Sequence, residues 1–361
     1  MSGIRRFAAV LVSSLALLTV VPATPSEAAE GFTKVRSSTV ERTSITAVAP
    51  GEVWVAGKAA NGRVRLEHRT GGTWWTAQLP VQANPSMTIH GSAKNDVWLV
   101  SSGELWRYNG AWRKVALPDE RKATAVFDVV GKNVYVGTYR AATGDYGPDR
   151  IAELLRYDGR TWTNLGGPEL PDEWRNSGSK EIRRIMVTNG TVRAETLYQP
   201  PSPMTRHEVY QISGTTWTVV AITGGSNRDA RSRLAGWLSY GNGTQVFLGY
   251  DKPSSQPLSP SCKQVTGSVS SDCTTMTAVG AAVLLRGGPA VLGGMDWQRQ
   301  ENGTLVDVPG QFLLRYANGT ERVLGGDPGD KTLAMAADPT GATVWAITKE
   351  GDRYSIQRYR R

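Results

Sequence analysis

Two groups of side chains in this 361-residue sequence could do chemistry together: Tyr139, Tyr146, Trp174, Tyr198, Tyr250 and Trp297, and the acids Asp145, Asp149, Asp172, Glu173, Asp251 and Asp296. They fall in the same few polar segments. An aromatic face beside a carboxylate suits a carbohydrate, because sugar C–H faces stack on rings while hydroxyls need acceptors. Taken in pairs, the acids could also serve glycoside hydrolysis, which needs two carboxyl groups ~5–9.5 Å apart. Six acids in four segments make some such pair nearly inevitable, so pairing is a weak signal. Each ring could equally pack its own segment onto the body of the protein.

Other chemistries find less support. The three histidines, His68, His90 and His207, have no metal-ligand spacing, and two cysteines cannot frame a zinc site. No Gly-x-Ser-x-Gly elbow is present, which argues against an esterase-type triad. No catalytic motif stands out, and neither a cofactor nor a metal is expected. The formal net charge is +9, from 41 basic and 32 acidic residues. That charge is spread along the chain rather than gathered in an arm, so nucleic acid is not an expected partner. Arg183, Arg184, Arg231 and Arg233 do cluster and could favour a polyanion. Dispersed charge serving solubility explains them as well.

These residues are positioned by a repeat. A polar turn, a valine and usually an aromatic recur around Val53-Trp54, Val97-Trp98, Val134-Tyr135, Val192-Arg193, Val246-Phe247, Val291-Leu292 and Val344-Trp345. The valines are 44, 37, 58, 54, 45 and 53 residues apart. Alternating β-branched and aromatic residues after such turns read as strands. Upstream lies a strand of small residues (Ile45–Val48, Met87–His90, Ala123–Val126, Met276–Val279). Downstream come a third strand ending in glycine and a fourth opened by Trp74, Trp112, Trp162 or Trp217. Asn109-Gly110 and Asp158-Gly159 are hairpin-turn dipeptides. Four antiparallel strands repeated radially describe an all-β propeller, here of seven blades. The last unit stops after Ile356–Tyr359, and Gly31–Val35 carries the fourth-strand pattern. Pairing the two would close the ring and hide both edges.

The first 28 residues read as a signal peptide: Arg5-Arg6, an apolar run Phe7–Val21, then Ser26-Glu27-Ala28. Fifteen apolar residues fall short of the ~20 that span a bilayer, so no membrane insertion is expected. Residues 29–361 would then form a single secreted domain, in which Cys262 and Cys273 are expected to be bridged, closing a short loop.

The chain resembles seven-bladed propellers of the kelch and WD-repeat kind, and most closely the loosely repeated valine-tryptophan propellers of exported actinobacterial proteins. The resemblance is architectural. Regular glycine doublets and the Trp-Asp dipeptide are both absent, and no catalytic residue carries over. It implies that segments joining second to third strands share one face with the links between blades. These segments are short after Val53, Val97 and Val344 and long at Thr138–Arg150, Tyr198–His207, Tyr250–Ser261 and Met295–Gly310. Tyr146, Trp174, Tyr198, Tyr250 and Trp297 are therefore the expected ligand-binding residues. The expected protein is a monomer that recognises an extracellular glycan or anionic cell-wall polymer. The alternatives are a glycoside hydrolase or polysaccharide lyase using the acids, and a protein-interaction scaffold.

Overall fold

The computed structural model describes residues 31–128, 133–141, 150–169, 179–188, 190–199, 206–223, 233–240, 244–251, 259–266, 269–273, 275–286 and 288–361. Among these there is no α-helix, and no helix long and apolar enough to cross a membrane. Nearly everything else is antiparallel strand, as the alternating pattern predicts.

β1 (Thr33–Ser38) stands apart at the start of the chain. β2 (Glu41–Ala49), β3 (Glu52–Lys58), β4 (Arg63–Thr70) and β5 (Thr73–Gln82) form a four-stranded sheet in chain order. The same order recurs in β6 (Thr88–Ala93), β7 (Asp96–Ser101), β8 (Glu104–Tyr108) and β9 (Trp112–Val115). It recurs again in β10 (Lys122–Asp128), β11 (Val134–Ala141), β12 (Arg150–Tyr157) and β13 (Trp162–Asn164). Next comes the sheet of β14 (Ser179–Thr188), β15 (Thr191–Gln199), β16 (Arg206–Ser213) and β17 (Thr216–Thr223). β18 (Arg233–Ser239), β19 (Gln245–Asp251), β20 (Ser259–Thr266) and β21 (Val269–Asp272) follow.

The remaining strands join in one larger sheet of two four-stranded sets. In one set β22 (Ala278–Leu284) and β23 (Ala290–Met295) pair, then β26 (Phe312–Arg315) and β27 (Glu321–Leu324). Between β23 and β26 the chain makes a separate hairpin, β24 (Trp297–Glu301) and β25 (Thr304–Val308). The other set is β28 (Lys331–Ala337), β29 (Thr343–Glu350), β30 (Arg353–Arg360) and β1. A single residue pair, Met295 opposite Lys331, links the two sets.

Consecutive sets pack face to face through their innermost strands. β28 meets β2, β2 meets β6, β6 meets β10, β10 meets β14, β18 meets β22, and β22 meets β28. The junction between the β14 and β18 sheets is an apolar cluster of Met186, Val209, Val220, Trp237 and Phe247. The packing thus returns to its start, and the fold is a β-propeller. Trp54, Trp98 and Trp345 lie in clusters that straddle neighbouring sheets, as the repeat predicts. Each is covered by the residue opposite it on the third strand. His68 stacks on Trp54 at 3.8 Å between centroids, while the guanidiniums of Arg107 and Arg358 sit 4.8 and 5.7 Å from the rings of Trp98 and Trp345. Cation–π contact adds to burial there.

The seam is closed by β1, which pairs with β30 from Thr33 opposite Arg358 to Ser38 opposite Tyr354. The sequence placed this pairing at residues 32–35. Phe32 instead donates its N–H to the Gly325 carbonyl at 2.7 Å and stacks on Phe312 and Tyr359. Its ring anchors the seam from the neighbouring set. Two further expectations change. His207, read as a loop residue, is the second residue of β16, and the Met295–Gly310 segment is mostly the β24–β25 hairpin. Asn302 and Gly303, with φ of 49° and 81°, make the tight turn that this hairpin needs. Cys262 and Cys273 are bridged across the β20–β21 end, their Cα atoms 5.0 Å apart.

An unforeseen regularity lies in the innermost strands. β2, β10, β14, β18, β22 and β28 each carry an extra residue against their partner, at Thr43, Thr124, Arg183, Ala235, Gly280 and Leu333, and β2 carries a second at Val48. Such bulges add local twist and re-aim a side chain.

Candidate functional site

The long segments of the sequence reading leave the sheets from the ends of β11, β15, β19 and β23. On the described backbone these ends carry aromatic residues. Tyr139 in β11 stands opposite Lys122, Tyr198 in β15 opposite Lys180, and Tyr250 in β19 opposite Arg233. Tyr139 and Tyr250 occupy equivalent register positions, two residues outward of the bulge. Trp297 opens the hairpin that follows β23 and pairs with Val308. β3, β7 and β29 end instead at Lys58, Ser101 and Glu350. These four sets are consecutive and form an arc on one rim of the ring, and in the set closed by β1, Tyr354 of β30 stands opposite Lys349 at the same end. Tyr146 and Trp174 lie outside the described residues, as do Asp145, Asp149, Asp172 and Glu173.

Of the described acids on this rim, Asp296 does structural work. Asp296 accepts a hydrogen bond from the Gly310 N–H at 2.8 Å, and its own N–H donates to the Asp330 carbonyl at 2.9 Å. It ties the base of the hairpin to β28. Asp251 is the last residue of β19, opposite Ser259. Trp297 is half-buried, and its indole nitrogen is fully enclosed without a hydrogen-bond partner. Part of that ring therefore packs, as the bland reading of the sequence allowed.

Beneath the rim the buried charges are paired, in a pattern the sequence reading missed. The Arg42 guanidinium grips Glu67 through Nε at 3.0 Å and Nη2 at 3.2 Å, and also donates to the Tyr354 carbonyl at 2.9 Å. Arg121 donates to Glu153 at 2.8 Å, and Asn164 to the other carboxylate oxygen at 3.0 Å. Burial alone would raise the Glu153 carboxyl, but those bonds outweigh it and hold the group below its ordinary range. The Lys180 ammonium lies 3.1 Å from Glu208, 2.9 Å from the Tyr210 hydroxyl and 2.8 Å from the Glu169 carbonyl. His207 meets Glu195 at 2.7 Å. In three sets, then, a cation at the start of the first strand neutralises a glutamate on the third. These carboxylates are committed to structural partners, which leaves the glycosidase pairing without support from them.

Two residues differ from their equivalents around the inner wall. Arg183 is the one charged bulge residue among the six, and it donates to the Ser86 hydroxyl, from the β5–β6 connection, while pairing with Glu181 at 2.9 Å. It links two non-adjacent sets across the axis. His90 in β6 stacks on Phe127 of β10 at 4.1 Å, and burial lowers its imidazole to about 4. His90 is therefore neutral near pH 7.

No family model matches this sequence, and no curated protein does. Among solved structures, a mutant Aleuria aurantia lectin in complex with Fucalpha1-6GlcNAc is similar at 14% identity and a TM-score of 0.42. That match covers 84% of this chain and 96% of the lectin. The same mutant lectin with alpha-methyl-L-fucoside matches at 15% identity, TM-score 0.42, over 87% and 98% of the two chains. A likeness at this level bears neither on what this chain binds nor on its fold, which rests on the strand order and packing above.

Proposed function

We propose that this protein is a secreted, seven-bladed, non-catalytic recognition module that binds an extracellular glycan or anionic cell-wall polymer on its aromatic rim. The observation that carries the reading is the arc itself. Four consecutive sets end in Tyr139, Tyr198, Tyr250 or the hairpin that begins with Trp297, and the other three do not. Lys122 and Arg233 stand across the register from Tyr139 and Tyr250, an arrangement suited to a uronate or phosphate-bearing polymer, whereas Lys180 is committed to Glu208. Tyr146 and Trp174 belong to the same proposed surface. Residues 1–28 act as the export signal, residues 29–361 form the single domain, and the Cys262–Cys273 bridge suits an oxidising compartment.

The test is binding to an array of extracellular glycans and cell-wall polymers, run with a screen for polysaccharide degradation. We expect binding to an anionic polymer that Tyr250→Ala weakens at least tenfold, with no reducing ends or unsaturated products released. Product release would replace this reading with the hydrolase or lyase. A flat array, with capture of a protein instead, would replace it with the scaffold.

A further inference from the structure

The β2–β5 and β6–β9 sheets contribute nothing to the aromatic arc, yet among the described residues they hold a dense group of rings. Three rings lie in cross-strand register within one sheet: Trp54 in β3 opposite His68 in β4, and His68 opposite Trp75 in β5. In the next sheet Tyr108 of β8 stands opposite Trp112 of β9. Rings of both groups line a cavity of about 190 Å3. Trp54 and His68 are parallel at 3.8 Å; Trp54 meets Tyr108 at 4.8 Å and Trp112 edge-on at 5.6 Å. Tight turns at Gly71-Gly72 and Asn109-Gly110 set these rings at the end of the sheets opposite the rim. A Cβ at Gly110 would touch nothing within 4 Å, so the wall is open there.

Packing alone accounts for Trp54 but not for the rest. Trp75 is 60% exposed, a large apolar face held against water at the mouth of a cavity. The indole nitrogens of Trp54 and Trp112 are closed off from solvent, as are those of Trp98, Trp237, Trp297 and Trp345, so the open face of Trp75 is what singles out this cleft. The cavity is smaller than the ~300 Å3 at which drug-sized pockets begin, so it suits one ring rather than a chain. Its lining carries no formal charge near pH 7: burial, ahead of the opposing pull of Glu52, lowers the His68 imidazole below its ordinary value. Glu52 itself already faces His68 at 3.4 Å and Lys94 at 3.5 Å. A quaternary cation would find no free carboxylate here.

We propose that this cleft is a second binding site, independent of the rim, that takes a single neutral pyranose with its C–H face stacked on Trp75. The proposal stands apart from the rim reading, because none of its residues belongs to the arc.

The experiment is a titration of the whole protein, 15N-labelled at tryptophan, with methyl β-D-glucopyranoside, methyl β-D-galactopyranoside, methyl α-D-mannopyranoside and choline chloride. At least one glycoside should shift the Trp54, Trp75 and Trp112 indole resonances with millimolar affinity. Trp75→Ala should weaken that response at least tenfold, and Trp75→Phe should restore most of it. Trp75 is exposed, so both variants should keep the wild-type melting curve. The proposal is overturned if no glycoside moves these resonances at millimolar concentrations. It is equally overturned if choline does so more strongly than every glycoside, or if Trp75→Ala leaves the response intact.

Discussion

At the scale of single residues, the tryptophans divide by environment rather than by position in the chain. Trp98 is 1% exposed between two sheets and covered by Arg107. Trp98→Ala should therefore cost ~3–5 kcal/mol of stability, read as a lower urea midpoint at unchanged slope. Trp75→Ala should cost far less. His90 offers a different handle, because it folds neutral. Its imidazole titrates at about 4 in the folded protein against an ordinary value near 6.5. Between those values the unfolded chain binds more protons, so stability is intact above pH 6.5 and falls as pH drops towards 4. The full loss is at most about 3 kcal/mol, since the ring keeps partial exposure. In His90→Gln that part of the acid slope should vanish. Melting temperatures across pH 4–7 for both proteins would show a parallel fall if His90 plays no such part.

At the scale of elements, each set is a hairpin chain whose local signals are strong, and these were readable. Val53-Trp54, Val97-Trp98 and Val344-Trp345 meet the same surroundings three times, so the same residue types recur. Other features depend on register between strands far apart, and single positions do not reveal them. The Arg42–Glu67 and Arg121–Glu153 pairs join residues 25 and 32 apart. The bulges leave no residue signature at all, since Thr43, Arg183 and Gly280 share no chemistry. The cleft escaped the reading because Trp75 and Trp112 belong to different sheets, and only packing brings them together. The disulfide is an element-scale device that was foreseen. It closes a short span between β20 and the residue after β21. Cys262→Ser with Cys273→Ser should lower stability by about 3 kcal/mol on the loop-entropy estimate. Because Cys262 also packs among Leu248 and Leu292, a smaller loss would mean that the unfolded chain is already compact there. Chemical denaturation of the oxidised protein and the double variant decides between these.

At the scale of the whole molecule, stability comes from sheet faces meeting neighbours on both sides, so every set depends on the ring being closed. Deleting residues 33–38 removes β1, bares the edge of β30 and frees Phe32 from Phe312 and Tyr359. The shortened chain should lose its single sharp thermal transition and should self-associate through the exposed edge. Light scattering during a melt reads both effects. A truncated protein that stays monomeric and melts like the full chain would show that closure contributes little.

The seam also sets how the protein responds to force. Thr33 at the start of β1 lies opposite Arg358, near the end of β30. Tension applied through the two ends of the chain therefore enters the seam at one extremity. The hydrogen bonds of β1 and β30 are loaded one after another, as in opening a zip, rather than all at once in shear. A force applied across the rim would instead load several sheets side by side. The same ring is thus weak when tethered by its ends and strong when gripped on its face, and the direction of pull decides which.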